Sequence, residues 1–320
     1  KALDAFLDAL LADKGGDTKG GKKRLNFVII PTKEVPKDKD KPEKGSKTKP
    51  SEGAFKPMKA YTKLMKKGVQ VINAENAYDA VSQIVAILDA QNAMVGSMVI
   101  DSHGSTNPNT KVFQLGTENI KASEISENDC LALLAGKTEN GPKYIDQHSN
   151  IMLSACWAGT ENHKEALKDL SAKFNGASIY GQKSVGIGVG LFTQGTFTMI
   201  PNAAVRTLGE MNHYYSGEDA RNAGLWTKAA ATVDENGEVV MKDGKVVTEI
   251  TDLETLVKLE KDGDVVESYD PFNERNKERL EQIAKRLDKK AEKKEEKAEK
   301  KEEKAEKKEE KAEKKEEKND

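Results

Sequence analysis

The sequence predicts an α/β fold built on a mostly parallel sheet flanked by helices. Short apolar runs at residues 25–30, 69–72, 98–100, 151–153 and 177–180 are bounded by turn residues, the pattern of strands buried on both faces. Helical spacing lies between them, clearest at 77–91, where Val81, Ile84, Val85 and Leu88 share one face. Two of the apolar runs end abruptly in reactive or small residues: S-M-V-I-D-S-H-G over 97–104 and S-N-I-M-L-S-A-C-W-A-G-T over 149–160.

Taken in order, residues 2–12 place Leu3, Phe6, Leu7, Leu10 and Leu11 at helical spacing, and a Gly-rich linker follows, so residues 1–24 read as an amphipathic helix and flexible linker. The strand at 25–30 runs into Pro31 and then into a Lys-, Asp- and Pro-rich stretch, 32–57, which is expected to be mobile. A helix at 58–67, the strand at 69–72, the helix at 77–91 and the strand at 98–100 come next, followed by a small hairpin around 111–120 and a short helix at 127–135. The strand at 151–153, a helix at 161–174 and the strand at 177–180 complete the alternation. The glycines of 186–190 lack the spacing of a dinucleotide fingerprint and read as a loop beside the cleft, before a further helix at 202–215.

Residues 25–226 thus form the main domain. Short alternating runs separated by E-N-G and K-D-G predict a small β-hairpin appendage over 227–272. Residues 273–320 begin as a helix and continue as a tail in which K-A-E-K-K-E-E occurs four times, expected to be helical or disordered. Alanine is the only apolar residue in that repeat, which excludes an ordinary coiled-coil seam. Its lysines and glutamates fall on opposite sides of a helix, so self-association through the tail is one reading and a solvated spacer the other.

Composition narrows the function classes. The net charge of −2 across 320 residues gives no argument for nucleic acid. Two cysteines, Cys130 and Cys156, exclude a disulfide framework. The four histidines, His103, His148, His163 and His213, lack metal-type spacing, so no metal or other cofactor is expected. No stretch has the length of a membrane span. No signal peptide precedes Lys1, which leaves the compartment open between cytoplasmic and part of a larger secreted protein.

Strands of open α/β sheets deliver their C-terminal residues to the ligand crevice. A thiol there is a candidate nucleophile, and an imidazole can take its proton or hold the thiolate. Adjacent parallel strands lie about 4.8 Å apart, so His103 and Cys156 can converge although 53 positions separate them. The backbone N–H groups of Gly104 and Cys156 are the candidate oxyanion donors. Asp101, Ser154, Gly181 and Gln182 are candidates for a substrate pocket; Asp101 either lines a pocket for basic side chains or only shapes the strand end. Cys130, in an apolar helical stretch, reads as core.

Two apolar strands ending in S-H-G and S-A-C, in that order, resemble the caspase-like cysteine peptidases, and the resemblance covers roughly residues 25–198. It implies a caspase-like fold and a cysteine endopeptidase with His103 as base, Cys156 as nucleophile, no required third carboxylate, and a protein or peptide as substrate. The hairpin carrying F-Q-L-G is closest in style to bacterial members. Caspases carry an arginine after the first strand and a glutamine before Ala-Cys, and metacaspases an aspartate at the latter position. Here Pro31, Thr32 and Lys33 follow the strand and Ser154 precedes Ala155, so neither acidic nor basic specificity has its usual support. Self-processing at the Lys-rich stretch is a further expectation, and a non-catalytic binding module on the same fold is the alternative.

Overall fold

A computed structural model describes residues 22–31, 69–139, 141–184, 216–222, 225–253, 258–261, 264–268 and 274–316. The expected helices at 2–12, 58–67 and 202–215, the stretch 32–57 and the glycine run 186–190 lie outside these. The chain runs through β1 (Lys23–Pro31), β2 (Gln70–Ala74), α1 (Ala77–Gln91), β3 (Ala93–Asp101), β4 (Phe113–Leu115), β5 (Glu118–Ile120) and α2 (Asp129–Ala135). It continues through β6 (Lys137–Thr138), β7 (Gly141–Pro142), β8 (Asn150–Ser154), α3 (Lys164–Lys173), β9 (Ser178–Gln182), α4 (Gly217–Arg221) and β10 (Trp226–Ala231). Five short strands follow, β11 (Met241–Lys242), β12 (Lys245–Val246), β13 (Thr248–Leu253), β14 (Lys258–Lys261) and β15 (Asp264–Ser268), and the long helix α5 (Glu274–Glu316) closes the chain.

Seven strands form one sheet in the order β13-β10-β9-β8-β3-β1-β2. The five from β9 to β2 are parallel and are the five apolar runs of the sequence. Strand β3 is buried from end to end. It extends further back than its apolar run because a bulge against β1 takes up Gly96, where the Asn26 side chain accepts the Ser97 N–H at 2.9 Å.

One core joins Phe27, Ile29, Ile100, Ile151, Leu153 and Ile179 of the sheet to Val81, Ile84 and Leu88 of α1, Leu131 and Leu134 of α2, and Leu167 and Leu170 of α3. The sheet is flanked by helices as expected: among the described residues α1 packs on α2 and α2 on α3, and all three lie over the same core. Val28, Ile30, Val99 and Met152 alternate with the core residues and are buried on the opposite face. Side-chain caps fix where the helices start, Asn76 accepting the Asp79 N–H at 2.8 Å and Asn128 the Leu131 N–H at 2.9 Å.

The boundary expected at residue 226 is corrected. Strand β10 pairs antiparallel with β9, Trp226 opposite Gln182, and β13 pairs antiparallel with β10, so much of the supposed appendage extends the main sheet. Trp226 is 2 % exposed and Ala229 fully buried, which ties β10 to the core. The run W-T-K-A-A-A has little β propensity; pairing on both sides and burial override it. Among its described residues the β11–β12 and β14–β15 pairs form small separate hairpins.

Helices α4 and α5 belong to a second compact body. Within it Arg221 joins Glu281 at 2.9 Å and Asp288 at 2.7 Å. The 43-residue α5 carries the Lys/Glu repeat as one helix, roughly 64 Å long at 1.5 Å per residue. The high helix propensity of Ala, Lys and Glu favours that state over the like-charge neighbours that oppose it. Among the described residues no helix is long and apolar enough to cross a membrane.

Because Trp226 is part of the sheet's core, Trp226→Ala is expected to lower the urea-unfolding stability of the whole α/β body by about 3–5 kcal/mol. Unchanged unfolding of the parallel strands would show instead that β10 folds apart from them.

Candidate active site

The register of the two central strands brings the two motifs together. Asp101 of β3 stands opposite Ser154 of β8, and the ladder continues one step further with Ser102 N–H donating to Ser154 C=O at 3.2 Å. Both chains therefore leave the sheet side by side, one into His103-Gly104 and the other into Ala155-Cys156. They touch at Gly104: a Cβ there would lie 2.0 Å from the Cys156 carbonyl oxygen and 2.8 Å from its nitrogen. Only glycine permits that approach.

A hairpin clamps the histidine. The Gln114 side chain of β4 is 7 % exposed, and its Oε1 accepts the His103 N–H at 3.3 Å. Gln114 N–H donates to Ser102 Oγ at 3.0 Å, and its Nε2 donates to Asn119 Oδ1 of β5 at 3.0 Å. His103 itself is exposed, while Ser102 before it is buried.

The cysteine sits on a tight loop braced by β9. Ala155 and Ala158 are buried, and Trp157 takes the left-handed conformation at φ 62°. That conformation costs a non-glycine residue on the order of 1 kcal/mol or more and concentrates at functional sites. It persists because both flanks are held. Trp157 N–H donates to Ser184 C=O at 3.1 Å, Gly159 N–H to Gln182 C=O at 2.8 Å, and Thr227 Oγ1 to Gly159 C=O at 2.6 Å. A Cβ at Gly159 would lie 1.9 Å from the Gly181 carbonyl oxygen, which explains the small residues of S-A-C-W-A-G.

The four pocket candidates take two positions. Asp101 is 7 % exposed and accepts from Ser154 Oγ at 3.1 Å, so this pair closes the ends of β3 and β8. Gly181 and Gln182 are buried and buttress the cysteine loop through the contacts above.

Three contributors escaped the sequence reading. Gln114 was visible as a polar residue inside the apolar hairpin strand V-F-Q-L, without a pattern to assign it a role. His163 shows no sequence signal at all. It is fully buried, its Nδ1 is 2.8 Å from Thr160 Oγ1, and it lies against the backbone of Lys111 and Ser105 in the turn after His103. Burial pushes its imidazole below the ordinary value of 6.5, against the pull of those two backbone groups. Lys111 is the third, a half-buried cation within electrostatic range of Cys156.

The two thiols stand in opposite surroundings. Burial raises the Cys130 thiol, and the carboxylates of Glu118 and Asp129 raise it further, all against ionisation. Cys156 stands instead just past the end of β8, against Gly104. Among the described residues no three His, Cys, Asp or Glu side chains gather as a metal site requires.

The Gly104–Cys156 contact generates a direct test. Gly104→Ala is expected to push the two strand-end loops apart and to slow Cys156 alkylation by iodoacetamide several-fold while Cys130 labelling stays as it was; an unchanged Cys156 rate would contradict the contact. Compared with family models, curated proteins and solved structures, the chain matches none of them.

Proposed function

We propose that this chain is a cysteine endopeptidase of caspase-like architecture. The observation that carries the reading is the contact of Gly104 with the Cys156 backbone, which joins S-H-G and S-A-C at one edge of a parallel sheet. The sheet order supports it as well, since β1 has β2 on one side and β3 on the other, and ligands of open α/β sheets bind at the carboxyl ends of strands near such a reversal.

In this mechanism the Cys156 thiolate adds to a peptide carbonyl carbon. The Gly104 and Cys156 N–H groups receive the developing oxyanion. His103 then gives its proton to the leaving amine as the C–N bond breaks, leaving a thioester on Cys156. Water, deprotonated by His103, adds to that thioester, and the C–S bond breaks with its electron pair returning to sulfur. The hydrogen bonds on both flanks of Trp157 fix the cysteine loop before substrate arrives, so little ordering remains for the reacting state. Asp101, tied to Ser154, supports the strand ends rather than offering a free carboxylate to a basic side chain.

Cleavage of a positional-scanning peptide library tests the reading. Cys156→Ala should abolish turnover, and His103→Ala should lower kcat by about 10²–10⁴-fold. Full turnover by Cys156→Ala would show that the thiol is not the nucleophile.

A further inference from the structure

The second body leaves a long stretch of α5 uncovered. Near its start α5 packs on α4, with Ile283 and Ala284 buried and Arg221 fastening Glu281 and Asp288. From Lys289 to Glu302 every residue is exposed. The charges on that stretch are sorted rather than mixed. For the repeat that begins at Ala291, the charged neighbours four residues apart are Glu292–Glu296, Lys293–Lys297, Glu295–Glu299 and Lys297–Lys301, all alike, against Glu296–Lys300 of opposite sign. Like charges at this spacing oppose the helix that carries them. A solvated spacer is best served by glutamate four residues before lysine, the arrangement this repeat mostly avoids.

The sorting has a geometry. On a helix turning about 100° per residue, Ala291 forms an edge with Glu295 about 40° to one side and Lys294 about 60° to the other. Ala298, Glu302 and Lys301 repeat that edge seven residues on. Alanine is small enough to let a second helix approach to an axial distance of about 8 Å. If two such helices lie parallel across this edge, glutamate of one copy flanks lysine of the other on both sides. If they lie antiparallel, glutamate flanks glutamate and lysine flanks lysine. The charges therefore accept one orientation and reject the other.

We propose that α5 is a self-association surface, pairing in parallel with α5 of a second copy along Ala291, Ala298 and Ala305. Lys294 and Lys301 of each copy then stand beside Glu295 and Glu302 of the other. Charges that repel along one helix gain opposite neighbours across the pair. The arrangement is two-fold symmetric, so it closes at two chains. A seam of single alanines buries little apolar surface, and the pair is held by its charges instead, which makes it sensitive to salt. The inference is independent of the reading of Cys156.

Sedimentation equilibrium of the full chain tests it. In roughly 0.01 M salt, where charges act over about 30 Å, the chain should be dimeric; in roughly 1 M salt, where they act over about 3 Å, its dissociation constant should rise roughly tenfold or more. Lys294→Glu with Lys301→Glu, and separately Glu295→Lys with Glu302→Lys, should each weaken the dimer by a similar factor, and mixing the two variants should restore it as a heterodimer. In a chain carrying Cys130→Ser and Cys156→Ser, Ala291→Cys should cross-link to itself on oxidation, which reports the parallel orientation. The salt series needs no substitution, so loss of helix in one variant leaves the test intact. A monomer in low salt, a dimer indifferent to salt, same-sign variants that dimerise like the parent, or cross-linking of Ala291→Cys only to chains carrying Ala305→Cys overturns the proposal.

Discussion

The site depends on a single constraint, the parallel register that sets Asp101 opposite Ser154. A slip of one residue would turn every side chain of β8 to the other face. Ile151 and Leu153 would leave the helix-covered core, and Cys156 would move away from Gly104. The same apolar alternation that builds the core therefore also aligns the ends that carry His103 and Cys156. Glycine at 104 is the point where that alignment becomes contact.

Around this point the molecule uses small residues to bring backbones close and polar side chains to lock them. Gly159 and Gly181 let the cysteine loop lie on β9, and Thr227 reaches from β10 to hold Gly159 C=O. On the histidine side, Gln114 joins the β4–β5 hairpin to His103. The β9 segment and β10 hold the two flanks of the left-handed Trp157, which is over-determined by its surroundings. The sheet's antiparallel extension through β10 and β13 therefore contributes to the cysteine loop as well as to the core.

Much of this was legible before any coordinates. The inner parallel strands β1, β3 and β8 are buried on both faces and read as nearly unbroken apolar runs, which is why 25–30, 98–100 and 151–153 stood out. His103 and Cys156 were visible because abrupt polar endings on such runs are uncommon. Strand β10 was not visible, since W-T-K-A-A-A carries little strand preference and is defined by partners distant in sequence. Nor was the place of His163, buried where the chain enters α3. The face on which α1, α2 and α3 pack depends on crossover paths that local periodicity does not encode.

Two cysteines in one chain provide an internal comparison. Cys130 is opposed to ionisation by burial and by Glu118 and Asp129, while Cys156 shares its end of the sheet with His103. Labelling with a peptide-derived thiol-reactive electrophile, followed by mass-spectrometric mapping of the modified residue, compares them directly. The account predicts modification at Cys156, none at Cys130, and loss of labelling in His103→Ala; equal labelling of both cysteines, or labelling indifferent to His103, would contradict it.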